Sequence, residues 1–74
     1  MIPVDSSIIS HFDHDPISNT LTLRFHPTKK NPEGAVYTYE NVPIDVAQDL
    51  INAPSVGSHF SSFIRGNYPV TKQQ

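Results

Sequence analysis

Ser58, Ser61, Ser62 and Arg65 recur at i, i+3, i+4 and i+7, a spacing that gathers side chains on one side of an α-helix. A guanidinium on that face offers a rigid fork of donors for a phosphate or carboxylate, and hydroxyls a turn or two earlier add donors that rotate to suit a ligand. Serine is a weak helix former, so helix stability alone explains such a face poorly; Glu, Lys or Gln would serve a merely solvated surface better. The competing reading is an outer face in water, with Arg65 paired to a carboxylate such as Glu40 or Asp49. Tyr37 and Tyr39, two residues apart, point the same way from a strand. They suit either a core beneath helices or a platform for a base, a stacking contact worth about 1–3 kcal/mol. Tyr68, just beyond the helix, suits either role, and Ser6 and Ser7 add hydroxyls from the first strand.

Other chemistries lack a frame. His11, Asp13, His14 and Asp15 are metal-capable side chains, but their spacing matches no established ligand pattern, and neighbours on a strand end point apart. They read as a polar turn, and no metal is expected. Serines, aspartates and His59 are the ingredients of nucleophilic catalysis, yet G-x-S-x-G is absent and His59 lies between the polar and apolar arcs of its helix. There is no phosphate-binding glycine loop and no C-x-x-C pair. A non-catalytic protein without a cofactor is expected.

The elements that must hold these residues emerge from periodicity. Val4–Phe12 reads as a first strand, with a bulge near Ser10 that lets Ile9 and Phe12 both face inward. Asp13–Pro16 and Ser18-Asn19 read as its closing turn. Thr20–His26 alternates, with Leu21, Leu23 and Phe25 inward, and Pro27–Gly34 (PTKKNPEG) is an exposed hairpin loop, the segment expected to move most. Ala35–Val42 is a third strand, with Tyr37 and Tyr39 on one face and Val36, Thr38 and Val42 on the other. Pro43 opens a first helix whose apolar side is Ile44, Ala47, Leu50 and Ile51. Pro54 breaks it, Ser55 caps a second helix with Val56, Phe60, Phe63 and Ile64 toward the core, and Gly66, Asn67 and Pro69 stop that helix. The expected architecture is α+β: a three-stranded antiparallel β-meander followed by two short helices packed on one sheet face. One domain is expected over 1–74, with a core from about residue 4 to 70 and a frayed tail over 71–74.

Composition narrows the function. Five Lys and Arg against seven Asp and Glu leave a formal charge of −2, too weakly placed for a broad grip on a polyanion but sufficient for one small anion. A chain of 74 residues with no cysteine has no disulfide staple, and its core supplies on the order of 3–5 kcal/mol, which favours a homo-oligomer. No apolar run approaches the length of a membrane span and no signal peptide is legible, so a cytoplasmic setting is expected.

Ser6-Ser7-x-Ile9, Leu21-x-Leu23-x-Phe25, Val36-Tyr37-Thr38-Tyr39, Val42-Pro43, Ala53-Pro54-Ser55-x-Gly57, Phe60 and Ile64-Arg65-Gly66-x-Tyr68-Pro69 together resemble the KTSC domain family over residues 4 to 70. That family takes its name from a C-terminal extension of some lysyl-tRNA synthetases and includes stand-alone bacterial and phage proteins. The resemblance implies a role at RNA through the synthetase association. The chain departs from the pattern at His14 and Ala47, where aromatics are usual, and in the enlarged PTKKNPEG loop.

The residues lead to an oligomeric binder of a phosphorylated, nucleotide-like small molecule. Arg65 would hold the phosphate, Ser58, Ser61, Ser62, Ser6 and Ser7 would bond ribose or phosphate oxygens, and Tyr37, Tyr39 or Tyr68 would stack the base. In a phage-type protein in the host cytoplasm, such binding would act as a sponge that sequesters a nucleotide immune signal. The alternative is an RNA-binding accessory module using Arg24, Lys29, Lys30 and Arg65 with the tyrosines.

Overall fold

A computed structural model describes residues 2–73. Its elements in chain order are β1 (Ile2–Pro3), β2 (Ile9–Asp15), β3 (Thr20–Phe25), β4 (Val36–Tyr39), α1 (Ile44–Ile51), α2 (Val56–His59), which runs directly into a π-helical turn (Phe60–Ile64), and β5 (Val70–Lys72). The fold is α+β as expected, but the antiparallel sheet has five strands in the order β1-β2-β3-β4-β5 where three were expected. The additions are both edge strands. β1 pairs Ile2 with Phe12 and Pro3 with His11, and β5 pairs Val70 with Tyr39 and Lys72 with Tyr37. Two or three residues are too few to carry a period; β2 and β4 supply the ladders that order them. Residues 71–73 are therefore paired chain and not a frayed tail, with Gln73 N donating to Val36 O at 2.7 Å; Gln74 lies outside the described residues.

The bulge near Ser10 is present. The β2–β3 register runs Ile9↔Phe25 and then His11↔Arg24, so Ser10 is the extra residue and Ile9 and Phe12 both enter the core. β2 starts and ends later than expected, continuing through Asp13 and His14 to Asp15. The turn is closed by the Asp15 carboxylate, which accepts from Ile17 N at 2.9 Å, and by Asn19 at φ 55. At the end of β4, Asn41 takes φ 63, and this left-handed step turns Val42 out of the strand's alternation and into the core. A uniform alternation places Val42 on the opposite face because it cannot register that reversal.

Core and helices lie on one sheet face, where Ile9, Leu21, Leu23 and Tyr39 meet Ala47, Leu50, Val56, Phe60 and Ile64. Pro43 occupies the N-cap of α1, and Ser55 Oγ accepts from Ser58 N at 3.4 Å as the cap of α2. Two expected core residues are outside: Ile44 and Phe63 are 46% and 60% exposed. Ile44 is the first residue of α1 and precedes its docked turn. Phe63 is displaced by the π turn, in which Arg65 N donates to Phe60 O at 2.9 Å, a five-residue span. The wider turn advances each residue by less than the α-helical ~100°, so the fourth residue after Phe60 returns to the core and the third swings away.

Ile64→Ala is therefore expected to cost about 2–5 kcal/mol, most of the stability of a domain this small, whereas Phe63→Ser costs less than about 1 kcal/mol. Urea unfolding followed by circular dichroism measures both.

Candidate ligand-binding site

The sheet face beside the second helix is aromatic. Phe25 meets Tyr37 edge-on with ring centroids 5.6 Å apart, and Phe60 meets Phe25 and Tyr39 at 5.4 and 5.8 Å. The rings leave a cavity of about 560 Å³, floored by Phe25, Tyr37, Tyr39 and Phe60, with Ile8 and Val70 at its sides. Its polar lining is Ser7, His26, Thr28, Ser61 and Arg65, and among the described residues no carboxylate lines it. The volume and the few polar groups around an apolar floor fit sites for small organic ligands, which occupy about 300–1,000 Å³.

Local bonds hold this wall in place. Ser6 Oγ accepts from Ile8 N and Ile9 N at 3.2 and 3.3 Å, which folds residues 6–8 into a turn. His26 clamps that turn to the end of β3: its N–H donates to Ile8 O at 2.9 Å, and its imidazole Nε2 bonds Ser6 O at 2.9 Å. Arg65 leaves the π turn in an extended conformation (φ −61, ψ 123), and Gly66 succeeds it at φ 82, a left-handed position that favours glycine. The guanidinium and the Tyr39 phenol share the cavity. Burial pushes the phenol above its usual 10.0, helped by Tyr37 and opposed by the nearby Arg65 charge, so Tyr39 remains an O–H donor.

A second cleft of about 450 Å³ adjoins the first and shares Ser7, Ile8 and Ser61 with it. Asp5, Ser6, Ser55 and Ser58 complete its polar lining. Gly57 lies on its wall, where an added Cβ would stand 3.2 Å from both Cγ1 and Cδ1 of Ile8, so helix and turn approach closely there.

Of the residues singled out in the sequence, Arg65, Ser61, Ser7, Tyr37 and Tyr39 converge on the first cavity, while Ser58 and Ser6 join Ser7 and Ser61 at the second. Ser62 and Tyr68 line neither; Tyr68 packs on the core. Tyr37 and Tyr39 pack with the core and also line the first cavity. Phe25, Phe60, His26, Thr28 and Asp5 also line the two cavities, and residue spacing does not mark them as site residues. Inward alternation marks Phe25 only as core, and the contacts that bring Asp5 and His26 to the site span distant parts of the chain.

The His11–Asp15 side chains take separate partners. Asp13 accepts from its neighbour's N–H at 2.9 Å, His11 bonds Ser10 Oγ, and His14 Nε2 bonds Val42 O at 2.6 Å across the fold. Among the described residues no three such side chains gather as a metal site.

The KTSC domain model matches residues 5–68. A lysine–tRNA ligase from Nostoc punctiforme is 38% identical over 68 residues, 92% of this chain and 11% of the ligase; the chain thus spans about a tenth of such relatives. A protein from Tsukamurella paurometabola is 35% identical with 92% of both chains covered. The crystal structure of a KTSC domain protein from Yersinia pestis superposes with TM-score 0.84 at 30% identity, over 97% of this chain and 93% of that one.

The raised Tyr39 phenol has a pH consequence. Above about pH 10 the unfolded chain loses the phenolic proton while the fold retains it, so the unfolded state binds fewer protons and stability falls as pH rises. Tyr39→Phe is expected to lose less of its melting temperature than the parent between about pH 9 and 11, which thermal scans across that range test.

Proposed function

This chain belongs to the KTSC domain family, and we propose that it binds a phosphorylated, nucleotide-like small molecule without turning it over. The observation that carries the reading is one cavity with an aromatic floor and the guanidinium of Arg65, unaccompanied by a carboxylate among the described residues that line it. A planar base fits the floor of Phe25, Tyr37 and Phe60, and a phosphate at Arg65 takes a forked, charge-assisted contact. Ser7 and Ser61, which line the same cavity, would donate to ribose or phosphate oxygens. Neither Glu40 nor Asp49, the carboxylates that would have occupied Arg65 in the competing reading, lines this cavity.

Capture without turnover suits a stoichiometric sponge for a nucleotide signal, acting as a homo-oligomer in the cytoplasm. Native mass spectrometry reads subunit count and retained ligand together. A second reading, an RNA-binding accessory module, draws on the similarity to part of lysine–tRNA ligases.

Calorimetric titration with nucleoside monophosphates and with a short RNA, each at low and high salt, separates the readings. A contact to a single phosphate responds weakly to salt, whereas RNA affinity falls steeply. Arg65→Gln is expected to weaken nucleotide binding about 10- to 100-fold while leaving the melting temperature unchanged, since the residue is exposed. Undiminished nucleotide affinity in that variant overturns the reading. Recovery of unaltered nucleotide after heat release of the protein supports binding over catalysis.

A further inference from the structure

The two neighbouring cavities differ in charge. Among the described residues, the first is lined by Arg65 and no carboxylate, and the second by Asp5 and no lysine, arginine or histidine. Ser7, Ile8 and Ser61 belong to both, so the two adjoin. A ligand whose phosphate is held by Arg65 can therefore continue into the second cleft only through a group that does not add negative charge beside Asp5.

The second cleft is dense in hydroxyls, with Ser6, Ser7, Ser55, Ser58 and Ser61 around one carboxylate. Two of them already accept from the backbone: Ser6 Oγ receives Ile8 N and Ile9 N, and Ser55 Oγ receives Ser58 N. Their O–H groups remain to donate. Asp5 supplies the complementary chemistry, since an ionised carboxylate only accepts, and it can take both O–H donors of a vicinal diol at once. Donors and acceptors interleaved on a small polar wall match a neutral polyol. They do not match an aromatic ring, because the apolar side chains of the lining are confined to Ile8, Pro54 and Val56.

Size points the same way. Adjoining cavities of about 560 and 450 Å³ that share Ser7, Ile8 and Ser61 together offer more room than a mononucleotide fills. Gly57 lets the helix approach Ile8 closely, since an added Cβ would stand 3.2 Å from its side chain.

We infer that the Asp5–Ser58 cleft is a sugar subsite, and that the ligand is a nucleotide bearing a second, neutral sugar beyond its phosphates. The inference rests on nucleotide binding in the first cavity and goes further by assigning the ligand's class. The test compares matched pairs by calorimetry: ADP with ADP-ribose, and GDP with GDP-mannose. At least one sugar-bearing member is expected to bind about 10-fold or more tightly than its diphosphate partner, and Asp5→Asn is expected to cut that ratio below about 3-fold. In the parent protein, amide resonances of Gly57 and Ser58 are expected to shift with the sugar nucleotide and not with the diphosphate, a readout independent of any variant. Diphosphates that bind without gain from the sugar, or resonances that stay in place, overturn this inference and leave the nucleotide reading standing. Failure of every member of both pairs to bind overturns both.

Discussion

Phe60 has to reach the aromatic floor of Phe25 and Tyr39 while Ile64, four residues later, is fully sealed in the core. The chain meets both requirements by widening one turn, with the Arg65 N–H bonded to the Phe60 carbonyl. That choice sets much of the surface around it. It expels Phe63 to solvent, where its ring lies 4.6 Å from that of His59, and it releases Arg65 from helical geometry directly beside the aromatic floor. Single π turns inside α-helices occur frequently at functional sites, because the inserted residue re-aims the side chains downstream of it. In this helix the re-aimed side chain is Arg65, whose guanidinium lines the cavity.

The same rings serve two purposes. Tyr39 and Phe60 are buried in the core, and each also lines the cavity, so the floor of the site is continuous with the core beneath it. The opposite wall is made differently. Residues 6–8 form a short turn held by the Ser6 hydroxyl and by His26, and Gly57 allows the helix to approach it closely. Small changes at that wall alter the distance between two cavities without touching the sheet.

His14 links two distant parts of the chain. It lies near the end of β2, and its Nε2 reaches the carbonyl of Val42, tying the sheet to the segment that precedes α1. A purely apolar aromatic could fill that space but could not make the bond. Ala47, on α1, is buried in the core.

Residue order alone carries the α+β class, the alternation of β3, the bulge at Ser10, the Ser55 cap and the grouping of Arg65 with Ser61. These are short-range matters, governed by side-chain period and by polar groups a few residues apart. The remaining features arise from contacts that exist only once the chain has folded. β1 and β5 form because longer strands offer them open ladders, Val42 turns inward because Asn41 adopts a left-handed conformation, and Phe63 turns outward because Phe60 and Ile64 claim the core. Asp5, His26 and Phe25 meet the helix serines only after the sheet has brought together positions that lie far apart in the chain, and no local pattern encodes that separation.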